Sequence, residues 1–379
     1  MTRAARLAAA LAAFAAVACG GGSPTEGGGT PPPAGRDRST MFLGADVSAL
    51  EKIEQSGGVF RDAGQAGDAI AILKSHGASG FRLRLFVDPN DSDVQVNDLA
   101  YTVRMAQRVK AAGAKLLLDI HYSDTWADPG HQTTPAAWAA LGIDSLEQRV
   151  ETYTDSVVTT LKQAGALPDI VQVGNEIDAG MLWPLGRVGG TYDTPAQWTQ
   201  LARLLKAGIR GVHDALGPSD TVRILLSYGQ GGNAGGTQWF FDNIATYGVP
   251  YDYVGLSYYP FWHGSLGALR ANLQAASLRY GKDILVVETS YPWRSGYWES
   301  MATDLTGMTW AASPGGQDSY LKALVDSVAT VIGNHGAGVV WWYPEAIQVP
   351  GLYVWGGGSL SLFDAGGNVL PAAAEFGAR

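Results

Sequence analysis

Two glutamates stand where short apolar runs stop. Val171-Gln172-Val173-Gly174-Asn175-Glu176 and Ile284-Leu285-Val286-Val287-Glu288 are each mostly β-branched or aliphatic, which suits a strand buried on both faces. An ionised carboxylate would be costly inside that core, so each run must end as its Glu emerges. One Glu at a strand end is more often a solvated loop residue or a helix cap. Two at equivalent places form the pair that acid–base and nucleophilic chemistry needs, one carboxyl protonated and the other ionised, as in cleavage of a glycosidic bond.

The elements that must position the pair alternate along the chain. Strand-like runs are expected at Phe42–Val47, Gly80–Phe86, Lys115–Ile120, Ile170–Val173, Arg223–Leu226, Tyr253–Leu256, Ile284–Val287 and Gly338–Trp341. Helical periodicity falls between them at Asp68–Ser75, Asp98–Ala112, Leu146–Ala164, Pro195–Leu216, Gln238–Tyr247, Gly267–Arg279 and Asp318–Ile332. Thr194-Pro195 is a helix start, a capping hydroxyl followed by proline at the first helical position. Gly113, Gly217 and Gly281 stand where helices should stop. No Pro/Ser-rich linker interrupts the alternation, which favours one domain and a (β/α)8 (TIM) barrel. A doubly wound open sheet is the competitor, but no glycine-rich phosphate loop follows the first strand.

A barrel collects function at the C-terminal ends of its strands. The residues leaving the strands there are Asp46, Arg84, His121 with Asp124 and Trp126, Asn175-Glu176, Tyr258-Tyr259, Glu288 and Trp342. This mixture suits a sugar, whose hydroxyls call for hydrogen-bond partners and whose apolar ring face calls for an aromatic platform. Arg84 could instead be a plain barrel-end ion pair, Asp46 a cap on backbone amides, and His121 a support for its neighbours. Trp138, Trp198 and Trp239 lie in helical stretches and read as packing residues.

The 12 Trp and 16 Tyr also suit stacking on sugar rings, although many must fill the core. A net charge of −9 without a basic run argues against a nucleic-acid partner. No His/Asp spacing resembles a metal site, and no cofactor is expected. At the N-terminus, Met1–Arg6 is basic and Leu7–Ala18 is apolar but too short to span a bilayer, the pattern of an export signal. It ends at Cys19, the only cysteine, which excludes a disulfide within the chain and resembles a lipoprotein signal with Cys19 lipidated; the alternative is an ordinary signal peptide with an incidental Cys and a secreted product. The expected organisation is therefore a signal over residues 1–19, a Gly/Pro-rich flexible tether over 20–40 and a barrel over 41–379.

Longer motifs make a more specific resemblance. They are Gly44-Ala45-Asp46-Val47-Ser48, Arg82-Leu83-Arg84-Leu85-Phe86, the run from Asp119 to Gly130 (DIHYSDTWADPG), Gln172 to Ile177 with Trp183-Pro184, Gly255 to Pro260 (GLSYYP) and Val287-Glu288-Thr289. Together they resemble glycoside hydrolase family 53, the retaining endo-β-1,4-galactanases of arabinogalactan. The resemblance implies Glu176 as acid/base, Glu288 as nucleophile and Asn175 on the sugar 2-hydroxyl, with the two carboxyl groups about 5 Å apart. Arg84 and Tyr258 are then expected to stabilise an ionised Glu288. Asp46, His121 and Asp124 would orient hydroxyls, and Trp126 and Trp342 would stack on rings. The expected partner is a β-1,4-galactan, met by an exported monomer that is either anchored to a membrane (cell surface or periplasm) only through lipid at Cys19 or secreted.

Two features depart from that family. Tyr343 stands where it typically carries Glu, and the loop after the seventh strand lacks the Asp/Asn cluster that holds calcium in some bacterial members. The departures leave open a retaining endoglycanase acting on another β-linked glycan. A lipoprotein that binds oligosaccharides without cleaving them is disfavoured by the two glutamates.

Overall fold

The computed structural model describes residues 35–378, so the export-signal and Cys19 readings lie outside it. Eight parallel strands close a barrel: β1 (Phe42–Asp46), β2 (Gly80–Leu85), β3 (Lys115–Ile120), β4 (Ile170–Val173), β5 (Arg223–Tyr228), β6 (Tyr253–Ser257), β7 (Asp283–Thr289) and β8 (Gly336–Trp342). Each pairs with the next in sequence, and β8 returns to β1. The connecting helices are α1 (Leu50–Gln55), α2 (Ala69–Ser75), α3 (Leu99–Ala111), α4 (Ile143–Gln163), α5 (Pro195–Asp214), α6 (Ala234–Thr246), α7 (Leu266–Tyr280) and α8 (Pro314–Ala329).

Alternation along the strands builds two cores. Phe42, Leu117, Leu225, Leu285 and Val287 form one apolar cluster, while their neighbours Leu116, Leu118, Leu226, Ile284 and Val286 join the helices in another. Each fully buried aliphatic side chain contributes about 1.5–3 kcal/mol, so the closed cylinder is a stiff platform for whatever its upper rim carries.

Helix starts follow capping chemistry. Asp68, Asp98 and Thr194 accept from Ala71 N, Tyr101 N and Gln197 N at 2.9, 2.7 and 3.3 Å. Gly113 and Gly281 take the left-handed conformation expected at a helix end, with φ of 66° and 57°. Ser313-Pro314 repeats the Thr194-Pro195 device, which begins α8 four residues earlier than its apolar periodicity indicates.

Three parts differ from the expected layout. The short α1 and a hairpin of Phe60–Asp62 with Gln65–Gly67 fill the connection before α2. Residues 35–40, expected in the tether, belong to the barrel: Arg36 N donates to Ala329 O at 2.8 Å and its guanidinium pairs with Asp283 at 3.0 Å. Arg36 and Arg38 find acceptors on the barrel, Arg36 on Asp283 and Arg38 on Asp326 and Ala378 O. Beyond β8, residues 343–378 run through loops and short 3-10 helices that bring Tyr353 and Trp355 back over the strand ends.

Candidate active site

The strands deliver a buried ionic lattice to the rim of the barrel. Arg82, fully buried on β2, donates through Nη1 to Asp46 Oδ2 at 2.8 Å, and through Nη2 to Asp119 Oδ2 at 2.8 Å and Asn175 Oδ1 at 2.9 Å. The same Nη2 lies 2.8 Å from Glu288 Oε1. Tyr259 OH donates to the other oxygen, Glu288 Oε2, at 2.8 Å. Glu288 thus has a cation on one oxygen and a phenol on the other.

These contacts reassign two expected roles. Arg82, not Arg84, pairs with Glu288, and Tyr259, not Tyr258, donates to it. Arg82 and Arg84 share the inward face of β2, but a long side chain from the deeper position rises along the strand to the carboxylates at its end. Arg84 stands higher, donates to Val94 O at 3.1 Å and lies over the Trp126 ring at 4.4 Å. After β6 the chain alternates, so Tyr258 turns away and donates to Gly264 O at 2.8 Å while Tyr259 turns inward.

Glu176 reaches the same cleft by a sharper route. It follows β4 in a left-handed conformation, φ 46°, unusual for a residue with a Cβ and costly unless neighbours enforce it. The enforcement is visible. Ser227 Oγ accepts from Glu176 N at 2.8 Å, and Gln132 Nε2 donates to the carbonyls of Asn175 and Glu176 at 2.7 and 3.2 Å. Gly229 leaves the room required: a Cβ there would lie 2.7 Å from Pro129 Cγ and 3.1 Å from the Glu176 carboxyl carbon.

The two carboxyl groups line one cleft of about 540 Å³ with His121, Trp126, Asn175, Tyr259 and Trp342. Trp355 packs edge-on against Trp342 with centroids 4.5 Å apart, and Trp126 is edge-on to Trp342 at 6.2 Å, which makes an aromatic wall. Asp128, His263, Tyr343, Tyr353 and Trp355 also line it, none of them singled out in advance for the site. Asp128 lies within the motif from Asp119 to Gly130 and Tyr343 two residues beyond the last expected strand, whereas Tyr353 and Trp355 lie where no periodicity marks an element.

Several expected sugar contacts act otherwise. His121 borders the cleft, but Ala127 N donates to its Nδ1 at 3.1 Å and its Nε2 faces Asp119 at 2.9 Å, so both ring nitrogens are engaged by the protein. Asp46 is held by Arg82 and Ser48 beneath the floor. Asp124 braces two loops, accepting from Asp88 N at 3.1 Å and Ala136 N at 2.8 Å. Asn175 donates to Ala127 O at 2.8 Å and keeps a second amide hydrogen on a side chain that lines the cleft. Among the described residues no group of His, Cys, Asp and Glu is arranged to hold a metal ion.

Environment separates the two glutamates. Burial, the charge of Glu288 and that of Asp178 together hold the Glu176 carboxyl well above the usual range. Burial, with the charges of Asp119 and Asp46, also raises Glu288, but Arg82 and then Tyr259 oppose the rise, and no such cation faces Glu176, so of the coupled pair Glu176 is the one that favours the proton. For Arg82, burial opposes the charge and the carboxylates of Asp119, Glu288 and Asp46 outweigh it, raising its pKa further. The arrangement can therefore supply an acid and an anionic nucleophile at once.

A family model, glycosyl hydrolase family 53, matches residues 42–376. The chain belongs to glycosyl hydrolase family 53. An arabinogalactan endo-β-1,4-galactanase A from Emericella nidulans is 35% identical over 319 residues, covering 82% of this chain and 87% of that one. An uncharacterized protein from Niallia circulans is 43% identical over 343 residues, with 87% and 92% covered. The family 53 catalytic domain of Ignisphaera aggregans superposes with a TM-score of 0.82 at 32% identity, covering 92% of this chain and 98% of that domain. The family 53 match spans all eight strands and the segment beyond β8 that carries Tyr353 and Trp355.

Proposed function

We infer that the chain is a retaining endo-β-1,4-galactanase acting on galactan and arabinogalactan. The observation that carries the assignment is the unequal environment of two carboxyl groups in one aromatic-walled cleft, on a family 53 barrel. Glu288 attacks the anomeric carbon while Glu176 protonates the departing oxygen. Water, deprotonated by Glu176, then releases the sugar from Glu288. Arg82 and Tyr259 hold Glu288 ionised and aimed. Asn175 turns its remaining amide hydrogen to the sugar 2-hydroxyl, a contact that strengthens as charge develops on the ring. Trp126, Trp342 and Trp355 supply the apolar wall.

Proton NMR of β-1,4-galactan hydrolysis tests this reading. The expected first product is the β-anomer, with mutarotation following; an α-anomer appearing first would mean inversion and overturn it.

The N-terminal sequence supports a further placement: export, with lipid attached to Cys19, and action as a monomer on the tether that ends before Gly35. Membrane fractionation of wild type and C19A checks it, with only the variant released in soluble form.

A further inference from the structure

A second cleft, about 590 Å³, adjoins the first and shares Pro129 with it. Asp178, two residues beyond Glu176, and Tyr228 and Gln230, on either side of Gly229, line it. Glu176 gives its proton to the departing oxygen, so the sugar chain on this side of the catalytic pair is the leaving group. Among the described residues, Arg187 is the one cation lining this second cleft.

The setting of Arg187 is unusual for this chain. Its guanidinium carbon lies 4.2 Å from the Trp183 ring centroid and 4.6 Å from that of Tyr192. Its backbone is pinned by a bridge to Gly180 and by Gln197 Nε2, which donates to Arg187 O at 2.9 Å. Yet Arg187 is half-buried, and among the described residues its guanidinium has no hydrogen-bond or ion-pair partner. Other partly buried arginines find acceptors: Arg36, Arg108 and Arg203 pair with carboxylates, and Arg61 and Arg294 donate to backbone carbonyls. The carboxylates lining the cleft are turned to other donors: Asp178 accepts from Gly229 N and Gln230 Nε2, and Asp193 accepts from the indoles of Trp198 and Trp239. Trp239, expected only as packing, thus lines the cleft while it occupies Asp193.

We propose that this cleft is a subsite on the leaving-group side and that Arg187 selects there a sugar bearing a carboxylate, a uronic acid. The proposal rests on the galactanase reading for the direction of the chain. Rings covering a guanidinium leave its N–H edge as the contact surface, and that edge matches a carboxylate in a two-point fork. Neutral hydroxyls would accept from it too, but a charged acceptor forms the stronger bond. Only a carboxylate would also give recognition that weakens with salt.

The test compares a β-1,4-galactotetraose extended at its reducing end by one uronic acid with the methyl ester of the same compound. Wild-type kcat/KM is expected to favour the acid about tenfold at low salt, the preference shrinking as salt rises. R187Q should bring the ratio of acid to ester near one, and R187K should restore part of it. Equal cleavage of acid and ester by wild type would overturn the proposal, as would an R187Q ratio equal to that of wild type. Calorimetry of the two ligands on E176A gives the same ratio without turnover. Failure of wild type to cut neutral galactan would count against the galactanase reading, whereas equal affinities on E176A would count against Arg187.

Discussion

Glu288 stands among donors and Glu176 among carboxylates. On the Glu288 side, Arg82 and Tyr259 each contact one oxygen, and the supports come from strands β2 and β6 or the residues just after them. On the Glu176 side, Glu288, Asp178 and Asp128 all disfavour ionisation, and the residue is held through backbone contacts at a left-handed turn. Two identical side chains thus acquire opposite roles from the groups around them. Charge is fixed by rigid strands, and the proton is kept where the chain bends.

The largest effects should come from the glutamates. E288A is expected to lower kcat on galactan by at least about 10⁴-fold. E176A should cost about 10²–10⁴-fold on galactan but far less on an aryl galactoside, whose leaving group needs no proton. Equal losses of E176A on both substrates would break the division of labour. Next come the supports. R82M should cost about 10²-fold or more in kcat with little change in KM, and Y259F about tenfold, both read from steady-state kinetics. If R84M were the more damaging, the reassignment from Arg84 would fail.

Those two arginines show how far the residues could be read. Period-two alternation puts both Arg82 and Arg84 inside the barrel, but only the stagger of eight tilted strands decides which one meets Glu288. The Tyr pair is similar: alternation separates Tyr258 from Tyr259, and the register irregularity opposite Glu288 decides which faces inward. All eight strands were legible to within two residues because long apolar runs are a strong signal. The six-residue α1, the three-residue hairpin strands and the segment carrying Tyr353 and Trp355 have too few turns or alternations to leave one. Of the polar ends, Asp46 and His121 stand at the ends of β1 and β3 and Asp124 in the loop after β3, yet their hydrogen bonds to protein groups depend on loops folded together.

Smaller effects sharpen the contrast through pH. Burial pushes Asp178 up to about 7, and as it ionises it raises the Glu176 pKa, as does Glu288. D178N removes that charge and should move the basic limb of the kcat/KM profile to lower pH. An unchanged limb would mean that Glu288 and burial alone set the acid. Glu345, buried just beyond the end of β8, accepts from Ala49 N at 2.9 Å and is pushed up to about 8 by burial and then by Asp46. Its folded pKa exceeds the unfolded value, so its contribution to stability is full below about 4.5 and is lost as pH rises through about 8. E345Q should therefore melt above wild type at pH 9, by about 5 °C, and show a flatter melting profile between pH 5 and 9. Parallel profiles would remove Glu345 as a pH-sensitive element.

The division between the two glutamates is tested most directly by trapping the intermediate. A galactosyl substrate fluorinated at the carbon next to the anomeric centre, with an activated leaving group, slows both steps and lets the covalent sugar accumulate, and peptide mass spectrometry then locates it. The account predicts the label on Glu288 and none in E288A. A label on Glu176, or turnover without any covalent species, would contradict it.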